Sequence, residues 1–139
     1  NGVADCPDFP NFKSGQYGAA ESAYQKYMRI GVKEAIPNSH RFAKHKDGTI
    51  EIFKKLMQSS EKSQRYTPKT FEGLKKRSVT VVKADTVSPT VTSIPDDLIH
   101  YSEPRIPTVR EIARIQSFPD WYEFKGKYTT GGDKRKVDV

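Results

Sequence analysis

A small, loop-rich α+β domain is the fold class that this sequence predicts, and three observations point to it. Apolar residues recur at helical spacing in some segments, whereas two short runs are rich in β-branched residues. Hydrophobic residues make up only 35% of the 139 residues, and the mean hydropathy is -0.76. We therefore expect one small core, a few short helices, short strands and a large share of surface and loop.

The N-terminal part predicts an irregular lead-in followed by a first helix. Residues 1–20 contain two prolines and three glycines without a sustained periodicity. From residue 20 to residue 29, good helix formers place Tyr24, Tyr27 and Met28 on one face. We expect this helix to pack its two tyrosines on the core.

A second helix is predicted near residues 48–57, with Asp47 as its cap. Four apolar residues recur there at helical spacing: Ile50, Phe53, Leu56 and Met57. We expect this stripe to form the core. His40 and His45 precede the helix, but no second pair of ligands stands near them at a metal-binding spacing, so a zinc site is not expected.

Residues 58–78 are polar and basic with few apolar anchors, which predicts a loop. A long loop inside a small domain is more often functional than inert, although an inert linker is the alternative. The runs 78–83 and 90–94 are rich in β-branched residues and are separated by turn-forming residues. We therefore expect a pair of short strands there.

The clearest local signal is a capping box formed by Thr108 and Glu111. It predicts a helix over residues 108–117, which must end before Pro119. A dense aromatic cluster follows, made of Phe118, Trp121, Tyr122 and Phe124. We expect this cluster to form a hydrophobic lid over the core rather than a stacking platform for bases.

Several classes of protein are disfavoured by composition. The single cysteine, Cys6, cannot form a disulfide within the chain, and no apolar run approaches the roughly 20 residues that a membrane span requires. The first residues also lack the basic start and apolar stretch of a signal peptide. These features favour a reducing, cytoplasmic setting without a membrane partner.

Positive charge is concentrated in one part of the chain. The net charge is +7, and residues 25–78 carry 14 Lys and Arg against 5 Asp and Glu, with aromatic residues set among them. Such a block suits a polyanion such as nucleic acid. Charge alone does not distinguish this from the alternative, a basic face that is only exposed to solvent.

Residues 104–124, PRIPTVREIARIQSFPDWYEF, closely resemble the ninth conserved motif of DNA cytosine-5 methyltransferases, usually R-x-L-T-x-R-E-x-A-R-x-Q-x-F-P-D-x-Y-x-F. The matching positions are Arg105, Thr108, Arg110, Glu111, Ala113, Arg114, Gln116, Phe118, Pro119, Asp120, Tyr122 and Phe124. The departure is Pro107, where the family prefers Leu, and a proline just before a helix cap is tolerated. Few other families share this string.

Two further segments support the resemblance. Residues 88–93, SPTVTS, resemble the Thr-plus-aliphatic pair that ends the family's variable target-recognition region. Residues 22–29, followed by Asn38, His40 and His45, resemble the segment that opens it. The family's Pro-Cys nucleophile, Phe-x-Gly-x-Gly cofactor loop, Glu-Asn-Val motif and Gln-x-Arg-x-Arg motif have no counterparts. Cys6 stands before Pro7 rather than after a proline, so we do not expect it to be the nucleophile.

The resemblance implies a domain organisation. Residues 1–20 lead in from the catalytic domain, 21–104 form the target-recognition region, 105–124 form the ninth-motif helix with the aromatic cluster, and 125–139 form a basic tail that leads towards a missing tenth motif.

The parent enzyme would transfer a methyl group from S-adenosylmethionine to carbon 5 of a flipped cytosine in double-stranded DNA. This chain would bind DNA and the catalytic domain of the same enzyme or of a partner subunit. It would bind no cofactor and be inactive alone. The DNA site and a place in a restriction–modification system stay open.

The expected DNA-binding residues are Arg65, Lys69, Lys75, Lys76, Arg77, Thr90 and Arg105. Arg65 and Arg77 are candidates for reading base edges, and the lysines are expected to neutralise phosphates. By resemblance, Thr90 lies beside the flipped nucleotide with Val91 packed beneath it, and Arg105 contacts a phosphate.

The other ninth-motif residues are expected to be structural: Thr108, Arg110, Glu111, Arg114, Gln116, Phe118 and Pro119. Ion pairs of Arg110, Glu111 and Arg114 would hold the lobe together.

A non-catalytic DNA-binding or scaffold protein that retained this lobe is the second hypothesis. Catalytic motifs elsewhere in the gene, or in a neighbouring gene, would favour the enzyme. A freestanding RNA-binding domain would need exposed aromatic residues on a sheet or a glycine-rich clamp, and the sequence indicates neither.

Overall fold

A computed structural model describes residues 2–61, 63–92, 97–126 and 128 of the chain. The elements in chain order are β1 (Val3–Cys6), β2 (Phe9–Gly15), α1 (Ala23–Met28), α2 (Asp47–Ser59), β3 (Gln64–Tyr66), β4 (Val79–Val81), β5 (Leu98–Ile99) and α3 (Val109–Ile115). These short helices and strands confirm the small α+β fold. None of the helices in the described ranges is long and apolar enough to cross a membrane.

The hydrophobic core joins α2 to a three-stranded sheet. In this sheet β4 is central, antiparallel to β3 and parallel to β5. The core residues are Phe53, Leu56, Tyr66, Leu74, Val79, Val81 and Ile99. The predicted stripe is confirmed for Phe53 and Leu56, and Met57 packs against the core, whereas Ile50 is only half-buried. Complete burial of such a side chain stabilises the fold by about 1.5–3 kcal/mol.

Capping boxes start two of the helices. The Thr108 hydroxyl accepts a hydrogen bond from the Glu111 amide, and the Glu111 carboxylate accepts one from the Thr108 amide. This confirms the box predicted for α3. Ser22 and Gln25 form the same arrangement at the start of α1. In each helix two amides that lack an intrahelical partner are thereby satisfied.

The start of α2 differs from the prediction. Lys46 occupies the cap position and makes no capping bond with its side chain, so the predicted cap at Asp47 is wrong. Asp47 lies instead in the first turn of the helix. Its carboxylate is favourable there because the helix dipole is positive at the N-terminus.

The outer face of α1 is exposed. Met28 is 1% exposed, whereas Tyr24 is 47% and Tyr27 is 68% exposed. The prediction that both tyrosines pack on the core is therefore wrong. The helix is only six residues long, and Met28 is its single buried side chain.

The first two strands form an antiparallel hairpin, so the irregular structure expected for residues 1–20 is wrong over most of its length. The buried residues of β2 are Ser14 and Gly15. The Ser14 hydroxyl donates to the His40 carbonyl at 2.8 Å. A Cβ on Gly15 would lie 2.5 Å from His40 Nε2, so this close approach requires glycine.

The region after α2 is more ordered than predicted. The loop expected over residues 58–78 includes the end of α2 and all of β3. The strand expected over 78–83 is confirmed as Val79–Val81. A second strand at 90–94 is wrong for residues 90–92, and the rest of that range lies outside the described residues. β4 pairs with β3 and β5 instead.

Candidate nucleic-acid interface

A groove beside the three-stranded sheet, lined by both polar and apolar residues, brings together two of the predicted DNA-binding residues, Arg65 and Thr90. Its volume is about 460 Å³, and its lining residues are Ser63, Arg65, Ser78, Thr80, Val87, Pro89, Thr90, Thr92, Asp97 and Leu98. Hydroxyl groups, a guanidinium and a carboxylate supply hydrogen-bond donors and acceptors. These are the groups that proteins use to contact the edges of bases.

Arg65 is presented by β3 and supported by the end of the β3–β4 connection. Arg65 of β3 is the register partner of Thr80 of β4. Arg65 Nη2 donates to the hydroxyl of Ser78, which is 5% exposed, at 3.0 Å. The next residue, Tyr66, is buried in the core and anchors the strand. Arg65 is therefore exposed on a rigid element, with one side of its guanidinium fixed.

Thr90 lies in the irregular segment between β4 and β5. Thr90 is exposed and Val91 is half-buried. The segment is joined to the start of the sheet by the hydroxyls of Ser63 and Thr86, which lie 2.7 Å apart. This hydrogen bond ties the segment to Ser63, which lines the groove.

The three predicted phosphate-binding lysines and the second base-reading candidate, Arg77, do not line the groove. Lys69, Lys75 and Arg77 are exposed in the β3–β4 connection, and Lys76 is half-buried. The connection is anchored by Leu74, which belongs to the core. The groove that contains Arg65 and Thr90 is therefore distinct from the basic turn between β3 and β4.

Arg105 lies in a different environment from the one predicted. Its Nη1 and Nη2 donate to Glu111 at 2.7 and 2.8 Å, and its Nε donates to Glu103 at 2.6 Å. The Arg105 side chain is 11% exposed. A shielded guanidinium that is already bound by two carboxylates is a poor phosphate ligand. The structure thus argues against the expected phosphate contact of Arg105 and favours a role in stabilising α3.

Arg110 is the most deeply buried charged residue among the described ones, with no exposed surface. Its Nε donates to the Asn38 carbonyl at 2.8 Å, and its Nη1 donates to the Pro119 carbonyl at 3.2 Å. Its Nη2 donates to the Tyr122 carbonyl. Asp120 is more distant, at 3.9 Å. The expected structural role thus rests mainly on bonds to carbonyl groups rather than on an ion pair.

Arg114 forms a bidentate ion pair with Asp120. Its Nε and Nη2 donate to the two carboxylate oxygens of Asp120 at 2.9 and 2.7 Å. Burial by itself raises the pKa of Asp120, but the hydrogen bonds and charge of Arg114 lower it overall. Tyr17 lies beside this pair, and burial is the main cause that raises its pKa to about 12. The ion pair expected of Arg114 is present and fixes the chain after α3.

His40 supports the same helix from the side. Its Nδ1 lies 2.7 Å from the Thr108 hydroxyl oxygen, and burial lowers its pKa to about 4. Sequence reasoning did not assign a role to His40 or to Asn38. Both residues lie in the segment that resembles the opening of the recognition region, and this resemblance was the signal in the sequence that could have identified them. In the ranges that the structure describes, no group of three His, Cys, Asp or Glu side chains could hold a metal ion.

The aromatic residues after α3 contact one another; Phe118, Trp121 and Tyr122 are exposed, and Phe124 is half-buried. The ring centroids of Phe118 and Tyr122 are 5.2 Å apart, and those of Tyr122 and Phe124 are 5.1 Å apart. Phe118 is 40%, Trp121 63% and Tyr122 41% exposed, and none belongs to the core. The predicted lid over the core is therefore wrong. Gln116, the C-cap of α3, is exposed as well.

Comparisons with known proteins agree with the resemblance of the ninth motif. Residues 9–137 match the family model described as C-5 cytosine-specific DNA methylase. The chain is 35% identical over 112 residues to the type II methyltransferase M.AquIB of Picosynechococcus sp. (strain ATCC 27264 / PCC 7002 / PR-6), which covers 79% of this chain and 76% of the relative. No solved structure matches significantly. Because the family match spans nearly all of the sequence, the chain belongs to the family of C-5 cytosine-specific DNA methylases.

Proposed function

We propose that this chain is the DNA-recognition part of a DNA (cytosine-5-)-methyltransferase. The complete enzyme transfers a methyl group from S-adenosylmethionine to carbon 5 of a cytosine that is flipped out of a specific duplex sequence. The observation that carries the proposal is the groove that unites Arg65 and Thr90 in a chain of the methylase family.

Arg65 is the proposed reader of a base edge. An arginine fork donates two parallel hydrogen bonds to O6 and N7 of guanine in the major groove. The bond to Ser78 fixes the guanidinium before DNA arrives, which reduces the entropy lost on binding. Asp97, in the same groove, offers a carboxylate that suits the amino group of cytosine. The groove therefore favours a site that contains a G·C pair.

The basic turn and Thr90 supply contacts to the DNA backbone in this proposal. Lys69, Lys75 and Lys76 neutralise phosphates and set the position of the lobe without reading sequence. Thr90, exposed at the groove, contacts the backbone beside the flipped nucleotide. Arg77, exposed in the same turn, is the second candidate for a base edge.

S-adenosylmethionine does not fit the described residues. The helices α1 and α3 begin at capping boxes, and α2 begins after Lys46, so none begins at a glycine-rich loop. The sequence also contains no Phe-x-Gly-x-Gly string and no Pro-Cys pair. We therefore assign the cofactor and the nucleophile to a catalytic portion outside these 139 residues. That portion belongs to the same polypeptide or to a partner subunit.

The test uses the complete enzyme, that is, this chain together with its catalytic portion. Arg65→Lys keeps the charge but loses the fork, so it should weaken binding to the cognate duplex by about 1–3 kcal/mol and leave binding to random DNA nearly unchanged. Lys55→Arg, at an exposed position of α2, is the control and should change neither affinity. Equal losses on cognate and random DNA would show that Arg65 contacts only phosphates.

A non-catalytic DNA-binding or scaffold protein is the second candidate. Such a protein would belong to the same family by sequence but would transfer no methyl group. Transfer of tritiated methyl groups to a library of duplexes separates the two functions. DNA binding without any methyl transfer by the complete protein would favour the scaffold.

A further inference from the structure

Val87 is the most exposed large hydrophobic residue in the part of the chain that the structure describes. It lies in the irregular segment between β4 and β5, and 92% of its surface is exposed. Val87 nevertheless lines the groove that contains Arg65 and Thr90. A single apolar side chain on a protein surface is ordinary, but one that lines a groove faces the ligand of that groove.

The segment that carries Val87 is held on both sides. Before it, the Thr86 hydroxyl oxygen lies 2.7 Å from that of Ser63. After it, the Ser88 hydroxyl donates to the Pro89 carbonyl at 3.1 Å. The proline ring fixes its own φ and confines the preceding serine to extended conformations. Valine itself has few side-chain rotamers, so Val87 loses little conformational entropy when a ligand covers it.

The polar neighbours of Val87 in the groove suit one G·C pair, and Val87 cannot read the same features. Arg65, bound to Ser78 at 3.0 Å, offers donors for guanine, and Asp97 offers a carboxylate for cytosine. A valine side chain neither donates nor accepts a hydrogen bond, so it can recognise only an apolar group. In the major groove, the edges of the four base pairs carry one such group, the 5-methyl group of thymine. Cytosine carries the same group once its carbon 5 is methylated.

We propose that Val87 contacts the 5-methyl group of a pyrimidine near this G·C pair and thereby determines part of the DNA sequence that is recognised. The inference rests on the proposed function, since it requires the groove to face the major groove of DNA. Burial of one methyl group against Val87 strengthens binding about fourfold. The pyrimidine is a thymine or a 5-methylcytosine, and the two differ in the experiment below.

The experiment removes or adds single methyl groups in the DNA. The complete enzyme, this chain together with its catalytic portion, is first used to find the duplex that it binds most tightly in a library. Each thymine of that duplex is then replaced in turn by uracil, and each cytosine other than the target by 5-methylcytosine. Both changes leave base pairing and hydrogen-bonding groups intact, so only the methyl group differs. Fluorescence anisotropy measures the affinity for every duplex.

The original enzyme should prefer the methylated base about fourfold at one position. A loss with uracil identifies a thymine there, and a gain with 5-methylcytosine identifies a cytosine. Val87→Ser, which is shorter and polar, should abolish this preference, whereas Val87→Ile should keep it. Val3→Ser is the matched control and should also keep it, because Val3 is 62% exposed and lies outside the groove. Neither valine belongs to the core, so these variants should fold.

Three results would overturn the role of Val87. There is no methyl preference at any position, the preference persists in Val87→Ser, or Val87→Ser weakens binding equally with and without the methyl group. The last result would place Val87 against a sugar or a phosphate. A random duplex is titrated in parallel. Any of these results in an enzyme that still prefers its cognate duplex refutes the inference alone. Equal affinity for cognate and random duplexes refutes the proposed function, and the role of Val87 with it.

Discussion

Arg105 and Glu111 form a bidentate ion pair at the start of α3, with Nη1 to Oε2 at 2.7 Å and Nη2 to Oε1 at 2.8 Å. The same carboxylate accepts a hydrogen bond from the Thr108 amide at 2.8 Å. One side chain therefore both caps the helix and neutralises a shielded arginine. The ion pair belongs to the scaffold of the lobe rather than to its DNA-facing surface.

Replacement of Glu111 by Gln should lower the free energy of unfolding by about 2 kcal/mol, because Arg105 then loses the more buried of its two carboxylate partners and keeps only Glu103. Glutamine can still occupy the third position of a capping box, so the loss reports on the ion pair. Urea denaturation followed by circular dichroism measures it.

Glu51→Gln is the control for this change. Glu51 accepts a hydrogen bond from Lys54 at 2.7 Å on the exposed face of α2, with both side chains more than half exposed. Its loss should lower the free energy of unfolding by less than about 0.5 kcal/mol. If the two substitutions lowered the free energy of unfolding equally, burial of the Arg105–Glu111 pair would not contribute to stability.

His40 should make stability depend on pH between about 6.5 and about 4. Burial lowers its pKa from 6.5 to about 4, so the unfolded chain binds a proton at a higher pH than the folded chain. The contribution of neutral His40 is therefore complete above pH 6.5 and declines as the pH falls towards 4. Burial lowers the pKa of His100 in the same direction.

His40→Asn separates the two histidines. Asparagine keeps a polar group near the Thr108 hydroxyl but cannot titrate. The unfolding midpoint of this variant in urea should decline less steeply than that of the original chain between pH 6.5 and pH 4. If the unfolding midpoints of the two proteins declined equally between pH 6.5 and pH 4, the pH dependence of stability would not come from His40.

Arg110→Lys should lower the free energy of unfolding by about 3 kcal/mol or more. A lysine ammonium is a compact charge on a flexible stem, and it cannot reproduce the planar donors that bind carbonyls from three residues. Arg77→Lys, at an exposed position, is the matched control and should change stability by less than about 0.5 kcal/mol. Thermal unfolding of the two variants compares them. A loss at Arg110 no larger than at Arg77 would contradict this account.

The burial of Arg110 shows where sequence reasoning ends. A charged residue on a short helix is expected at the surface, because burial of an uncompensated charge is costly. Its partners Asn38, Pro119 and Tyr122 become neighbours only in the folded chain, and Asn38 lies 72 positions away. The resemblance identified Arg110 as a structural residue, but the contacts behind that role depend on tertiary structure.

Local signals were sufficient to locate the three helices along the chain and insufficient for the hairpin. The α3 capping box is encoded by two side chains three residues apart, so it could be predicted directly. The strand β2 buries Ser14 and Gly15, which carry no hydrophobic pattern. Its pairing is stabilised instead by contacts with His40, which follows 26 residues later. A strand of this kind leaves no periodic signal in the sequence.

The basic turn between β3 and β4 should control the salt dependence of DNA binding. Lys75 is exposed there, whereas Lys76 is half-buried, so Lys75 is the better single test of a phosphate contact. In the complete enzyme, Lys75→Ala should weaken binding to every duplex alike. The log-log dependence of affinity on salt should become shallower by about 0.9, the value for one phosphate contact.

Lys55→Ala on the outer side of α2 removes the same charge from another exposed position and is the control for net charge. It should change the slope little, because a lysine that contacts no phosphate releases no condensed counterion from the DNA. Fluorescence anisotropy of a labelled duplex, titrated at several salt concentrations, gives both affinity and slope. If Lys75→Ala and Lys55→Ala have equal effects, Lys75 contacts no phosphate. The positive charge of residues 25–78 would then act only through the general field of the protein, and the alternative of a solvated basic face would be preferred.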